Sequence, residues 1–254
     1  MPIHYLRGIS ARERSPSANQ HLGLLLAFVA GATNAGGFLA VQQYTSHMTG
    51  IVSHIADELA VGEIVAVSAG IGAVVCFLVG ASVCAVLVNW ARRQRLRSEF
   101  AAPLMLESLL LLCFGLLGHA FVGHSWMFVP ATVAVLCFIM GLQNALVTKV
   151  SRAEIRTTHV TGIVTDLGIE LGKLFYWNLD ANGEKVMANR ARLRLLGALL
   201  AMFFLGGVLG ALGFKHVGFV ATVPLAMLVF LLAAVPVCDD LLDRLHDRRQ
   251  DPSH

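Results

Sequence analysis

The sequence predicts an all-α, polytopic membrane protein, with six transmembrane helices arranged as a 3+3 inverted repeat and two short re-entrant or interfacial helices. Three observations predict it. The chain is poor in charge, all but one of its basic residues fall on one side of six apolar stretches, and its first half recurs in its second.

Of 254 residues, 56% are hydrophobic and 14% are charged, against about 25% charged in a typical soluble domain. The mean hydropathy is +0.70. That composition argues against a soluble enzyme. The net charge of +3 is too mild for a nucleic-acid partner. The 24 glycines suit membrane helices. Cys76, Cys84, Cys113, Cys137 and Cys238 lie in or beside apolar runs and form no CxxC pair. No disulfide framework, zinc site, other metal site or cofactor is expected from them.

In chain order, residues 1–21 form a polar, cytoplasmic N-terminal tail carrying Arg7, Arg12 and Arg14. Crossing a hydrocarbon core about 30 Å thick takes about 20 apolar residues. Six stretches qualify, near 22–43, 64–89, 103–122, 128–148, 193–214 and 217–238. With no water to satisfy backbone groups in lipid, each must be a helix. The first stretch is too long for a signal-peptide core and its sequence returns later, so it reads as a retained span. One membrane domain results, with a first three-span repeat over 22–122, a second over 128–238 and a cytoplasmic C-terminal tail over 239–254.

Orientation follows the basic residues. With the N-terminus inside, 18 of the 19 Lys and Arg residues fall in the cytoplasm, and only Lys215 lies outside. The asymmetry predicts six crossings with both ends cytoplasmic, in a bacterial inner membrane. An extra crossing at 47–60 would put Arg92–Arg97 outside and is rejected.

The duplication is specific. Phe28, Gly31 and Asn34 of FVAGATN match Phe138, Gly141 and Asn144 of FIMGLQN at an offset of 110. TSHMTGIVSHIADELA (45–60) and TTHVTGIVTDLGIELG (157–172) share eight of sixteen residues at an offset of 112. Three spans per half is an odd number, so the second half starts on the opposite side, as in inverted-repeat transporters whose sites lie at the repeat interface. Each T-x-H-x-T-G segment precedes about 12 moderately apolar residues, too few to span. Thr49-Gly50 and Thr161-Gly162 are expected at helix starts, where a Thr can cap and free amides favour anions.

The run GATNAGGF, TSHMTG, GLQNA and TTHVTG resembles the YoaK-like family of bacterial multi-pass membrane proteins over roughly residues 20–238. That resemblance implies a membrane location and a six-span architecture, and no established substrate. One departure is Ile51 and Ile163, where the family pattern calls for a polar residue, often Asn.

The candidate substrate-binding residues are Asn34, His47, Thr49, Gly50, Asn144, His159, Thr161 and Gly162, the polar and glycine positions retained in both copies. A neutral His can bind a solute or carry a proton; the structural alternative is a capping His at the interface. Asn34 and Asn144 can line a polar site or glue helices together. Glu58 and Glu170 match but fall near expected interfaces, where they would be solvated. Glu107, the one acid inside an expected span, would snorkel or pair with Arg97. Gly206-x-x-x-Gly210 and Gly36-Gly37 read as close packing.

These features point to a secondary transporter or permease for a small solute, polar or anionic, with the lipid bilayer as its surroundings. The alternative is a structural or regulatory membrane protein that transports nothing. An intramembrane enzyme is disfavoured, and no catalytic residue is assigned. Gly80-Ala81-Ser82 matches only part of a rhomboid nucleophile motif, and HExxH and GxSxG are both missing.

Overall fold

In the computed structural model, residues 16–94, 96, 98–121, 125–151, 157–177 and 185–250 are described. They are all-α. The helices are α1 (Pro16–Val41), α2 (Met48–Val61), α3 (Ile64–Arg93), α4 (Ala101–Phe121), α5 (Ser125–Val150), α6 (Val160–Phe175), α7 (Arg190–Val217) and α8 (Thr222–Gln250). A 3-10 turn, Gly218–Ala221, joins the last two. Four stretches are long and apolar enough to cross a membrane: Ala18–Val41, Ile64–Arg93, Val129–Val150 and Arg190–Ala234. The last is 45 residues long and holds two helices, because the chain folds back inside it after Lys215 and His216. Gly218 makes the reversal at φ 66°, a left-handed conformation that costs glycine little. Helix α8 therefore begins at Thr222, not 217, and runs on to Gln250 through the expected tail. Helix α1 likewise begins in the expected N-terminal tail, with Pro16 at its first position, where a missing N–H costs nothing.

Helices α2 and α6 have 14 and 16 residues. At 1.5 Å per residue they are about 21 and 24 Å long, short of a hydrocarbon core. Each follows its H-x-T-G start as expected, and each is anchored through one isoleucine, Ile51 or Ile163, which is buried.

The long helices pair across the two halves. Helix α1 packs on α7, α5 packs on α3, and α4 packs on α8. The first two pairings use the same F-x-x-G element on both partners. A methyl on Gly31 would overlap the carbonyl of Phe203, and one on Gly206 would overlap that of Phe28. The second crossing is built identically, with Gly80 against the Phe138 carbonyl and Gly141 against that of Phe77. Gly210 meets the Ala32 backbone and Gly36 meets the Phe214 ring, which accounts for the small residues there. Apolar side chains cannot drive helices together in lipid, so close backbone approach has to supply the contact.

The contacts also set directions. Phe28, Ala32 and Gly36 of α1 meet Gly206, Gly210 and Phe214 of α7, so those helices run parallel. On α3 and α5, Ala73 clusters with Val133 and Cys137, Gly80 lies against Phe138 and Leu142, and Cys84 is within electrostatic reach of Lys149, again parallel. Helices α1 and α5 run antiparallel, because Gln143 donates to the Leu26 carbonyl (3.3 Å) while Gly37 faces Leu136. Helices α4 and α8 are antiparallel too. Ser108 Oγ donates to the Ala226 carbonyl (2.8 Å) and Thr222 Oγ1 to the Leu111 carbonyl (3.0 Å).

The five cysteines are free. Cys84 and Cys137 are buried, whereas Cys113 and Cys238 face outward.

Replacing Gly31, Gly80, Gly141 or Gly206 by Ala is expected to destabilise the purified protein by about 1–3 kcal/mol through overpacking. Gly168→Ala and Gly197→Ala, where the added methyl meets nothing within 4 Å, are expected to be neutral or stabilising by up to about 1 kcal/mol. Thermal unfolding in detergent separates the two groups. Equal effects in both would mean that the crossings are looser than described.

Candidate functional site

Asn34 lies near the end of α1, where the chain must turn back into α2. Gln42 takes a left-handed conformation at φ 55°, and Phe38 stacks on Tyr44 with ring centroids 4.5 Å apart. The turn is fastened by Asn34 Oδ1, which accepts from both the Ser46 amide (3.3 Å) and the Ser46 hydroxyl (2.8 Å). The second copy repeats the device. Asn144 Oδ1 accepts from the hydroxyl of Thr158, the residue equivalent to Ser46. Asn144 Nδ2 donates to the Met140 carbonyl (2.7 Å). The duplicated asparagines are therefore clasps that hold each H-x-T-G element against the long helix before it.

His47 and His159 occupy the N-cap positions of α2 and α6. Their backbone carbonyls accept from Ile51 (3.1 Å) and Ile163 (3.0 Å), opening each helix. Neither imidazole makes a capping hydrogen bond, and both rings are exposed on the protein surface. Thr49 and Thr161 sit two residues into the helices, are exposed, and do not cap them either. The expectation of side-chain capping by these residues is corrected: the helix starts are held by the asparagine clasps instead. Gly50 lies beneath the His47 ring, so a methyl there would strike it. Gly162 has open space around it. The two copies thus share backbone but differ in how the histidine rests.

Beneath each element the interior is polar in equivalent ways. Thr45 and Thr157 are fully buried, and neither hydroxyl has a hydrogen-bond partner among the described residues. Thr33 and Gln143, the residues before the clasp asparagines, are also buried, with Thr33 Oγ1 and Gln143 Oε1 unpartnered.

The eight candidate residues fall into two groups, Asn34 with 47–50 and Asn144 with 159–162. Because Gln143 lies level with Leu26 on an antiparallel helix, Asn144 sits about eight residues from the level of Asn34. That is about 12 Å along α1. The structure brings together the members of each group and sets the groups on either side of the α1–α5 crossing.

Glu170, expected to be solvated, is buried. It accepts from Lys173 Nζ (2.9 Å) and from the backbone amide of Asn189 (2.7 Å), the N-cap residue of α7. The Lys173 bond, then the Asn189 amide, hold its carboxyl below the usual carboxylate range. Asn189 Oδ1 in turn caps the amides of Ala191 and Arg192. Asp166 and Arg192 add an exposed ion pair at 2.9 Å, of a type worth about 0–1 kcal/mol. Glu58 has no such task. It stands 3.5 Å from His54, and its backbone carbonyl closes the end of α2 through Glu63.

Sequence reasoning missed Ser46 and Thr158 because they are not identical, although both carry the hydroxyl that the clasp needs. It named Glu107 but expected it to snorkel or pair with Arg97; Glu107 is fully buried. Arg97, its expected partner, lies outside the described residues, and the neighbouring Arg92 pairs with Glu99 at 2.7 Å. Gly80, weighed as part of a nucleophile motif, is used in the α3–α5 crossing.

Asn34→Ala leaves two donors of Ser46 without their acceptor and is expected to cost about 1–3 kcal/mol. Ser46→Ala keeps the amide bond and is expected to cost less. Thermal unfolding of the two variants gives the order, and a larger loss in Ser46→Ala would contradict the clasp.

Among curated proteins and among solved structures, no match to the chain was found. A family model described as a protein of unknown function, DUF1275, matches residues 22–235. With that match covering most of its length, and with four described stretches long and apolar enough to cross a membrane, the chain belongs to the DUF1275 family.

Proposed function

We propose that the protein is a secondary transporter or permease for a small polar or anionic solute, akin to the YoaK-like proteins that its motifs resemble. In this reading it sits in a bacterial inner membrane as six spans, in a 3+3 inverted repeat, with both ends cytoplasmic. The observation that carries the reading is the exchange of partners between halves: α1 packs on α7 and α5 on α3 through the same F-x-x-G crossing. Six alternating crossings require the first and fifth spans to be parallel, the second and fourth parallel, the first and fourth antiparallel, and the third and sixth antiparallel. The observed pairs α1–α7, α3–α5, α1–α5 and α4–α8 have those directions. The short helices α2 and α6 then approach from opposite sides as re-entrant or interfacial elements.

Two equivalent half-sites follow, one built on Asn34, His47, Thr49 and Gly50 and the other on Asn144, His159, Thr161 and Gly162. The exposed imidazoles and threonine hydroxyls supply donors and acceptors, and the helix starts supply amides suited to an anion. A solute would pass between them as one half rocks against the other. The asparagines position these groups rather than touch the solute. One observation favours the rival reading of a membrane protein without cargo: both clasp asparagines commit their side-chain oxygens to the fold.

The test begins with thermal unfolding of the detergent-purified protein against a panel of small organic and inorganic anions and neutral metabolites. A ligand of the folded state raises apparent stability by mass action. The transport reading expects at least one stabilising solute whose counterflow in proteoliposomes is lost in the His47→Ala/His159→Ala double variant. A solute that binds without flux, or flux unchanged in that variant, would contradict it.

A further inference from the structure

Glu107 lies six residues beyond Ala101 on α4, about 9 Å along the helix. It is fully buried, and neither carboxyl oxygen has a hydrogen-bond partner among the described residues. The residues one turn away, Leu104 and Leu111, are fully buried as well. The adjacent Ser108 hydroxyl offers no help, since it donates to the Ala226 carbonyl of α8.

The helices packed against α4 bring few charges toward it. From α3, Cys84 is within electrostatic reach of Glu107, and Arg92 is held by Glu99. From α5, Lys149 acts on the same Cys84. Residues 218–234, which form the 3-10 turn and the described apolar part of α8, carry no ionisable side chain. On α4 itself Cys113 faces outward.

An unpaired carboxylate in such surroundings is very costly, whereas the neutral acid loses most of that penalty. An ionisable group kept inside a membrane helix bundle marks an ion or proton pathway by default. The α4–α8 seam beside it is held by side-chain-to-carbonyl hydrogen bonds from Ser108 and Thr222, which water can replace when the helices part.

We propose that Glu107 is a proton-carrying site, holding one proton while α3, α4, α5 and α8 are packed as here and releasing it to water when that packing opens. It deepens the transport reading by supplying the coupling ion, and rests on that reading for the coupling alone. Proton binding can be tested without any solute, so failure of the site and failure of the transport reading are distinguishable.

The experiment uses the full chain in phosphatidylglycerol-containing vesicles and a hydrophobic carbodiimide, which adds to protonated carboxyl groups in apolar surroundings. The wild type is expected to gain an adduct that maps to Glu107, at a rate falling as pH rises. Glu107→Asp should retain that pH dependence and Glu107→Gln should lose the adduct. A second measurement is the infrared difference between wild type and Glu107→Gln at neutral pH, which should contain the carbonyl band of a protonated acid. Glu107→Gln, isosteric with the neutral acid, should keep wild-type thermal stability. A carboxylate band in place of the acid band, a pH-independent adduct, no adduct at any pH, or a large loss of stability in Glu107→Gln would overturn the proposal.

Discussion

Everything else in the fold depends on four glycines that let helix backbones touch. In water, burial of apolar side chains would hold such helices together; in lipid that force is missing, and contact must come from packing density and backbone approach. Gly31, Gly80, Gly141 and Gly206 each lie against the carbonyl of a phenylalanine, and each phenylalanine stands three residues before the partner's glycine. The reciprocity fixes both the separation and the axial register of α1 on α7 and of α5 on α3. Once those pairs are set, the turns after α1 and α5 have defined places, and the clasps from Asn34 to Ser46 and from Asn144 to Thr158 can seat α2 and α6.

Much of this was legible in the sequence. The duplicated F-x-x-G-x-x-N and T-x-H-x-T-G elements predicted where long helices end and short ones begin, and the structure has helices α2 and α6 immediately after the two histidines. The other half of each crossing was legible only in part: Gly206-x-x-x-Gly210 read as close packing, without its partner. Phe77-x-x-Gly80 and Phe203-x-x-Gly206 sit in long apolar runs, where phenylalanine and glycine recur on lipid-facing and protein-facing sides alike. The α7–α8 reversal was legible from Lys215 and His216 between two expected spans, but not its residue, because Gly218–Ala221 continues into an apolar run. The backbone conformation of Gly218 and the 3-10 turn it opens place the reversal there.

The candidate site was legible in its residues and not in their roles. Retention in both copies singled out Asn34 and Asn144, but retention is blind to whether a side chain faces a solute or a neighbouring turn. The clasp depends on a hydroxyl donor that serine and threonine supply equally well, so identity matching passed over Ser46 and Thr158. Glu107 shows the opposite failure. It has a distinct chemical character and no counterpart that repeats it, and its depth in sequence suggested access to water, while its position on the α4 face turned toward Leu104 and Leu111 denies it.

We propose that the two halves, which reciprocal glycine crossings join, are related by inversion across the membrane. An experimental structure of the full chain in a lipid nanodisc tests it most directly. The account predicts that residues 28–60 superpose on 138–172 by rotation about an axis lying in the membrane plane, with α1 against α7. A rotation axis along the membrane normal, or α1 packed on α3 in place of α7, would contradict it.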